Sequence, residues 1–224
     1  FETGLEEITG VWTRVQGSSR TDRGVHALGQ VVSFPTETRL DNYALRKALN
    51  AVLPFDMVVR EIVDAPWGFN AIRDAVRKSY RYVVQDGRIR DPIARRHAWF
   101  VPKKLNVEAM QEAAQLFVGE HDFKAMQTSG AARESSVRTV HRVHVERRSM
   151  ELGDQVTIEV EANGFLYNMV RNIAGTLVEV GKGNQQVPWV RHVLTSRDRR
   201  RAGQTAPAEA LFLLWIKFPG DELA

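Results

Sequence analysis

The run Lys78-Ser79-Tyr80-Arg81-Tyr82-Val83-Val84 alternates in the manner of an extended strand. A period of two puts Tyr80, Tyr82 and Val84 on one face and Ser79, Arg81 and Val83 on the other. An aromatic strand face has to be covered by another layer, so this segment commits the chain to a sheet with packing against it. On pattern alone the two tyrosines either fill that core with their hydroxyls satisfied or offer a flat surface to a ligand.

Other segments extend the pattern. Val11 to Gln16, Gly29 to Phe34, Met57 to Val63, Val137 to Val145, Val156 to Ala162 and Phe212 to Phe218 read as strands. Helical spacing recurs between them. Phe1 to Gly10 reads as the end of a helix, with Leu5 and Ile8 on one stripe and Gly10 as its stop. Asp41 or Asn42 caps a helix that buries Ala44, Leu45, Ala48, Leu49 and Val52 and ends at Pro54. Asn106 caps another, with Met110, Ala113, Ala114 and Phe117 inward and Gly119 closing it. Phe165 to Val180 is expected to be one helix, its apolar arc made by Phe165, Leu166, Met169, Val170, Ile173 and Leu177. Arg171 lies nearly opposite that arc, and Gly164 and Gly175 fall near it on the helical wheel, where another part of the chain can approach closely. Gly181-Lys182-Gly183 follows the helix and lacks the Walker spacing, so it is a helix stop and not a phosphate loop. A short helix over Val187 to Leu194 follows. The first lobe is expected to cover residues 1–72 and the second 73–224.

The 224 residues, 43% of them hydrophobic, can bury one large core or two modest ones. With no cysteine, disulfides, thiolate metal sites and a thiol nucleophile are excluded, which fits a reducing cytoplasm. No apolar run approaches the roughly 20 residues of a membrane-spanning helix. His141 and His144 point to opposite faces of one strand, so no shared metal ion is expected. A net charge of +4 is modest, but the arginines are grouped: Arg73, Arg77 and Arg81 with Lys78; Arg88, Arg90, Arg95 and Arg96; Arg138, Arg142, Arg147 and Arg148; Arg197 and Arg199 to Arg201. Each group is either a solvated face or, gathered on one side by folding, part of a surface for a phosphate backbone.

Gly17-Ser18-Ser19-Arg20-Thr21-Asp22-Arg23-Gly24-Val25-His26-Ala27 reads as a loop feeding a strand, with Asp22 at its tip. An aspartate between Arg20 and Arg23 is favoured in its charged form, which suits a nucleophile or a base. The alternative is a turn in which Asp22 caps its own backbone. No second carboxylate adjoins it in sequence, which disfavours the acid and base pair of a glycosidase.

The run Ser19 to Ala27 closely resembles the signature of the tRNA pseudouridine synthase A family, whose aspartate is catalytic. Asn163-Gly164-Phe165-Leu166-Tyr167-Asn168-Met169-Val170-Arg171-Asn172-Ile173 resembles the family's second signature, whose arginine pairs with that aspartate. Lys78 to Val84 is similar to the family's Tyr-Arg-Tyr strand, whose first tyrosine stacks in the active site. Ala206 to Leu213 resembles the closing motif that lines the uracil pocket, with Ala210 where the family has glycine. Gly119 to Phe123 resembles a family turn into a polar loop over about 127–136, and Phe69-Asn70-Ala71-Ile72 departs from the usual Phe-His-Ala-Arg. The family has a strand and a Gly-Trp-Gln stretch ahead of the first helix, so the start of the first lobe is expected to be missing.

The resemblance implies an α+β pseudouridine synthase fold, an extended and mostly antiparallel sheet with flanking helices and two lobes around a basic cleft. It implies Asp22, Arg171 and Tyr80 as catalytic residues, and Arg20, Arg23, His26, Phe165, Met169 and Leu211 as substrate-binding ones. The expected reaction is isomerisation of uridine at positions 38, 39 and 40 of tRNA, by a cytoplasmic homodimer that needs no cofactor and no metal. A base drawn out of an RNA stem needs a flat partner, and Tyr80 is the residue expected to supply it. The rival reading is a non-catalytic RNA-binding module, which arginine clusters and an aromatic strand also suit.

Overall fold

The computed structural model describes residues 1–128, 130, 135–150 and 154–221. The chain divides into two compact units, one of residues 1–20 and 31–75, the other of residues 21–30 and 76–224.

In the first unit, helix α1 (Glu2–Thr9) ends at Gly10, whose φ of 73° is the left-handed turn that a glycine adopts without strain. Helix α2 (Asn42–Val52) begins where Asp41 accepts from the backbone N–H of Ala44, and it buries Leu45 and Leu49. Leu5 packs on these two with Val15, Phe34 and Ile62 around them. Strands β1 (Gln16–Gly17) and β3 (Val32–Ser33) form a short antiparallel pair. The two strands expected over Val11 to Gln16 and Gly29 to Phe34 are therefore only two residues each.

The expected strand Met57 to Val63 is not formed. Its backbone is held by α2 side chains instead. Asn50 donates to Val59 O at 2.9 Å and accepts from Val59 N at 2.7 Å, and Arg46 donates to Arg60 O. Its β-branched residues fit an extended chain, but a strand exists only where a second backbone ladders against it.

The second unit is a seven-stranded sheet. Its main path runs β2 (His26–Ala27), β9 (Leu211–Lys217), β4 (Arg77–Asp86), β8 (Gln155–Ala162), β7 (Val137–Arg148) and β6 (Gly119–Asp122). Strand β5 (Trp99–Val101) continues alongside β4 from Val84 onward. Among the described residues only the β2–β9 and β4–β5 pairings are parallel, so the sheet is mostly antiparallel as expected. Between Ser79 and Tyr80 the β4–β9 register skips Leu214. Gly29 passes there, and a Cβ on it would come within 2.5 Å of Leu214 O.

Helices α3 (Val107–Gln115) and α4 (Met169–Gly181) pack together and supply the sheet's cover. Asn106 caps α3 by accepting from Ala109 N. Gln111 and Gln115 of α3 bond the backbone of β7 at Val145 and Val143. A fork of two hydrogen bonds, 2.6 and 2.9 Å, joins Arg147 to the buried carboxylate of Asp86, which also accepts from Leu105 N. Helix α5 (Trp189–Ser196) follows the stop at Gly183.

Two further corrections concern boundaries. Helix α4 begins at Met169, not Phe165, because Asn168 takes a left-handed φ of 61° and Met169 N closes a turn onto Leu166 O. Phe165 and Leu166 suit the helical period but lie ahead of the helix. The segment 21–30 belongs with the second unit, whereas the expected division placed it in the lobe 1–72. The cause is backbone pairing. His26 and Ala27 register with Phe212 and Leu213, and Leu28 N donates to Leu213 O.

Candidate active site

The sheet edge formed by β2 and β9 determines where the Asp22 loop sits. Asp22 O accepts from Val25 N at 3.0 Å, Gly24 takes a φ of 89°, and the chain then enters β2. The Gly24 Cα stands over the 3-10 turn Ala208–Ala210, where an added Cβ would meet the Ala208 Cβ at 3.6 Å. Pairing of β2 with β9 thus fixes the loop over the segment that leads into β9.

Arg171, in the first turn of α4, reaches that loop. Its Nη1 donates to Asp22 Oδ2 at 3.2 Å, across a separation of 149 residues. The same nitrogen donates to Asn168 Oδ1 at 2.8 Å, and Nε donates to Ala206 O at 2.7 Å. Its fork is thus shared among three acceptors. The Arg171 side chain is 17% exposed and that of Asp22 31%, so solvent screens the pair only in part. Asp22 is left with an open side.

A strap of backbone between α5 and β9 holds this arrangement. Thr205 donates to Asn172, Ala206 N donates to Arg171 O, and Pro207 O accepts the Tyr82 hydroxyl at 2.8 Å. Upstream, Gly203 N donates to the Thr176 hydroxyl, and Gly175 lies so close that a Cβ there would be 1.8 Å from Gln204 O. The close approach expected at Gly175 is present, whereas Gly164 is not on the helix and faces Arg138.

Tyr80 and Tyr82 share one face of β4 and do different work. Tyr80, 7% exposed, meets the Phe165 ring edge to face at 5.1 Å. Tyr82 is fully buried, edge-on to Trp99, and bonded to the strap. Burial and the charge of Glu209 push its phenol far above the ordinary value, with Arg171 pulling the other way, so it stays a hydrogen-bond donor. Phe165 lies three residues before Asn168, and the Phe165–Asn168 turn therefore connects the Tyr80 contact to the Arg171 contact.

The remaining expected residues fall in different settings. Met169 and Leu211 are buried at 1% and 7% exposure, and Leu211 is opposite Tyr82 in the sheet register. The His26 ring stacks on Phe212 at 4.8 Å, and its Nε2 lies 2.8 Å from Arg96 O and 3.1 Å from Glu209 O. Only an Nε2–H satisfies two carbonyls, so His26 fastens β2 to the neighbouring loops. Arg23 is exposed beside Asp22 in the chain, and Arg20, also exposed, belongs to the first unit. The loop expected over about 127–136 lies largely outside the described residues.

Asn168, Tyr82 and the strap carbonyls are the parts that residue patterns missed. Asn168 carried a usable signal, since asparagine adopts left-handed angles and favours helix starts. The carbonyls carried none, because every residue supplies one whatever its side chain.

Comparison with known proteins places the chain in a family. The family model for tRNA pseudouridine synthase matches residues 113–219. Over 216 residues the chain is 42% identical to the tRNA pseudouridine synthase A of Thermoanaerobacter sp. (strain X514), covering 96% of this chain and 87% of the relative. The chain belongs to the tRNA pseudouridine synthase A family. It is also 43% identical to the protein of that name from Geotalea uraniireducens (strain Rf4), with the same coverage. The Myxococcus xanthus protein is 43% identical over 95% of this chain and 79% of its own length. These matches span both compact units, so the family assignment covers the Asp22 loop as well as the sheet.

Proposed function

We propose that this chain isomerises uridine to pseudouridine in tRNA, with Asp22 as the catalytic carboxylate and Arg171 as its partner. The observation that carries this reading is the 3.2 Å contact between them, which joins two distant sequence signatures in one site. The reaction breaks the bond from ribose C1′ to uracil N1, turns the base without releasing it, and bonds C1′ to C5, with the C5 proton lost and N1 gaining one. Asp22 has three chemically competent roles: bonding to the sugar, adding to the base, or stabilising the charge that develops. Arg171, fixed by Ala206 and Asn168, supplies a positive charge that needs no rearrangement when the substrate arrives.

Tyr80 stacks on the displaced uracil, and Phe165 holds its ring. Met169 and Leu211 form the apolar underside, Arg20 and Arg23 contact the RNA around the target, and His26 holds β2 in place instead of touching the RNA. The substrate uridines are those of the anticodon stem and loop, positions 38 to 40, and the enzyme works as a cytoplasmic homodimer without cofactor or metal. Family resemblance supports these last assignments. Incubating the protein with tRNA carrying labelled uridine, with no additive, is expected to yield pseudouridine at those positions. A non-catalytic RNA-binding module would bind the tRNA and leave every uridine unchanged.

A further inference from the structure

Folding sorts the arginine groups by whether a carboxylate answers them. In the first, Arg73, Arg77 and Arg81 pair with Asp74, Glu161 and Glu159. In the third, Arg147 and Arg148 pair with Asp86 and Glu146. In the last, Arg197 and Arg200 pair with Asp122 and Asp198. Arg88, Arg90, Arg95 and Arg96 are different. All four are exposed on the β4–β5 connection, and among the described residues none makes an ion pair.

That connection is also firmly shaped. The buried Gln85 accepts from Asp91 N at 3.0 Å and donates to Ile89 O. Ala94 and Ala98 pack on Val83 and Phe212, and a 3-10 turn spans Ala94–Arg96. Arg96 O lies 2.8 Å from Nε2 of His26, whose ring also stands 4.9 Å from that of His97. His26 follows Asp22 by four residues, so the display of arginines is tied to the strand that positions the catalytic loop.

We infer that the 88–96 loop is the surface that grips the phosphate backbone of the RNA beside the target uridine. Cations on a preset loop bind phosphates without an ordering cost, and uncompensated guanidinium groups release counterions when they do so. Arginines already paired to carboxylates must first give up a partner, so at least two cations in each of the other three groups are poorer phosphate ligands. This inference rests on tRNA being the substrate.

The test replaces Arg88, Arg90, Arg95 and Arg96 together by Gln, and in a parallel protein by Lys, and measures tRNA dissociation constants over a range of salt. Every phosphate that an arginine neutralises adds about 0.7 to 0.9 to the slope of log affinity against log salt, so removing these cations should flatten it. The Gln protein is expected to show a slope shallower by at least about 1.5, a KM raised tenfold or more, and a kcat within about threefold. The Lys protein should keep most of the slope. An unchanged slope and KM in the Gln protein would overturn the inference, as would an effect confined to kcat. A loop serving an acidic protein partner gives that same unchanged tRNA affinity. Steep, loop-dependent binding by a wild-type protein that makes no pseudouridine would instead defeat the catalytic reading while leaving this surface in place.

Discussion

Arg171 meets Asp22 through one nitrogen at 3.2 Å while its other contacts, to Ala206 O and Asn168 Oδ1, are shorter at 2.7 and 2.8 Å. The guanidinium is therefore anchored mainly by the protein and offered to the carboxylate. Such an arrangement suits the proposed reaction, in which the cation has to stay in place while Asp22 changes its bonding.

Arg171→Lys should fail to preserve activity. Lysine retains the charge but cannot serve Ala206, Asn168 and Asp22 from one planar group. We expect a rate loss of about a hundredfold or more, with Arg171→Ala worse. Because the pair is partly exposed, urea unfolding should show a stability loss of only about 1–3 kcal/mol. Near-normal turnover by a folded lysine variant would show that the shared geometry is unimportant.

Tyr82→Phe tests the strap. It removes the hydroxyl from Pro207 O, one residue beyond the carbonyl that fixes Arg171, and should cost about 1–2 kcal/mol of stability for the acceptor left unpaired. Steady-state kinetics should show kcat down about tenfold with KM for tRNA nearly unchanged. Because burial holds the Tyr82 phenol protonated far above neutral pH, the pH–rate profile should fall in height and keep its shape. A new ionisation in that profile would contradict a purely positioning role.

Much of this framework was legible because it is local. Asp41 and Asn106 cap helices through side chains that reach three residues along, and β4 shows its two faces in its own alternation. Non-local choices were not. Met57 to Val63 has strand-forming residues but meets Asn50 and Arg46 side chains, and Phe165 fits a helical stripe that Asn168 interrupts. Which arginines stay uncompensated depends on cross-strand partners such as Glu159, opposite Arg81, and Glu161, diagonal to Arg77, which only the sheet register brings within reach. The Asp22–Arg171 pairing came from resemblance, since nothing in either segment alone names its partner.

Gly175→Ala should disturb the site from behind. The new Cβ would lie 1.8 Å from Gln204 O and 3.0 Å from its carbonyl carbon, so the strap has to lift. A stability loss of about 1–3 kcal/mol in thermal or urea unfolding is expected, together with reduced turnover. A crystal structure of the variant should show Ala206 O withdrawn from Arg171. Full stability and activity would mean that the strap tolerates displacement and does not position the pair.

The most direct measurement compares wild type with Asp22→Asn on labelled tRNA, reading pseudouridine formed in single-turnover reactions alongside binding. The asparagine keeps the size and hydrogen-bonding reach of the side chain but not its charge. We expect no detectable pseudouridine from the variant and tRNA affinity within about tenfold of wild type, roughly 1.4 kcal/mol. Appreciable turnover by Asp22→Asn would contradict the assignment of the reaction to this carboxylate.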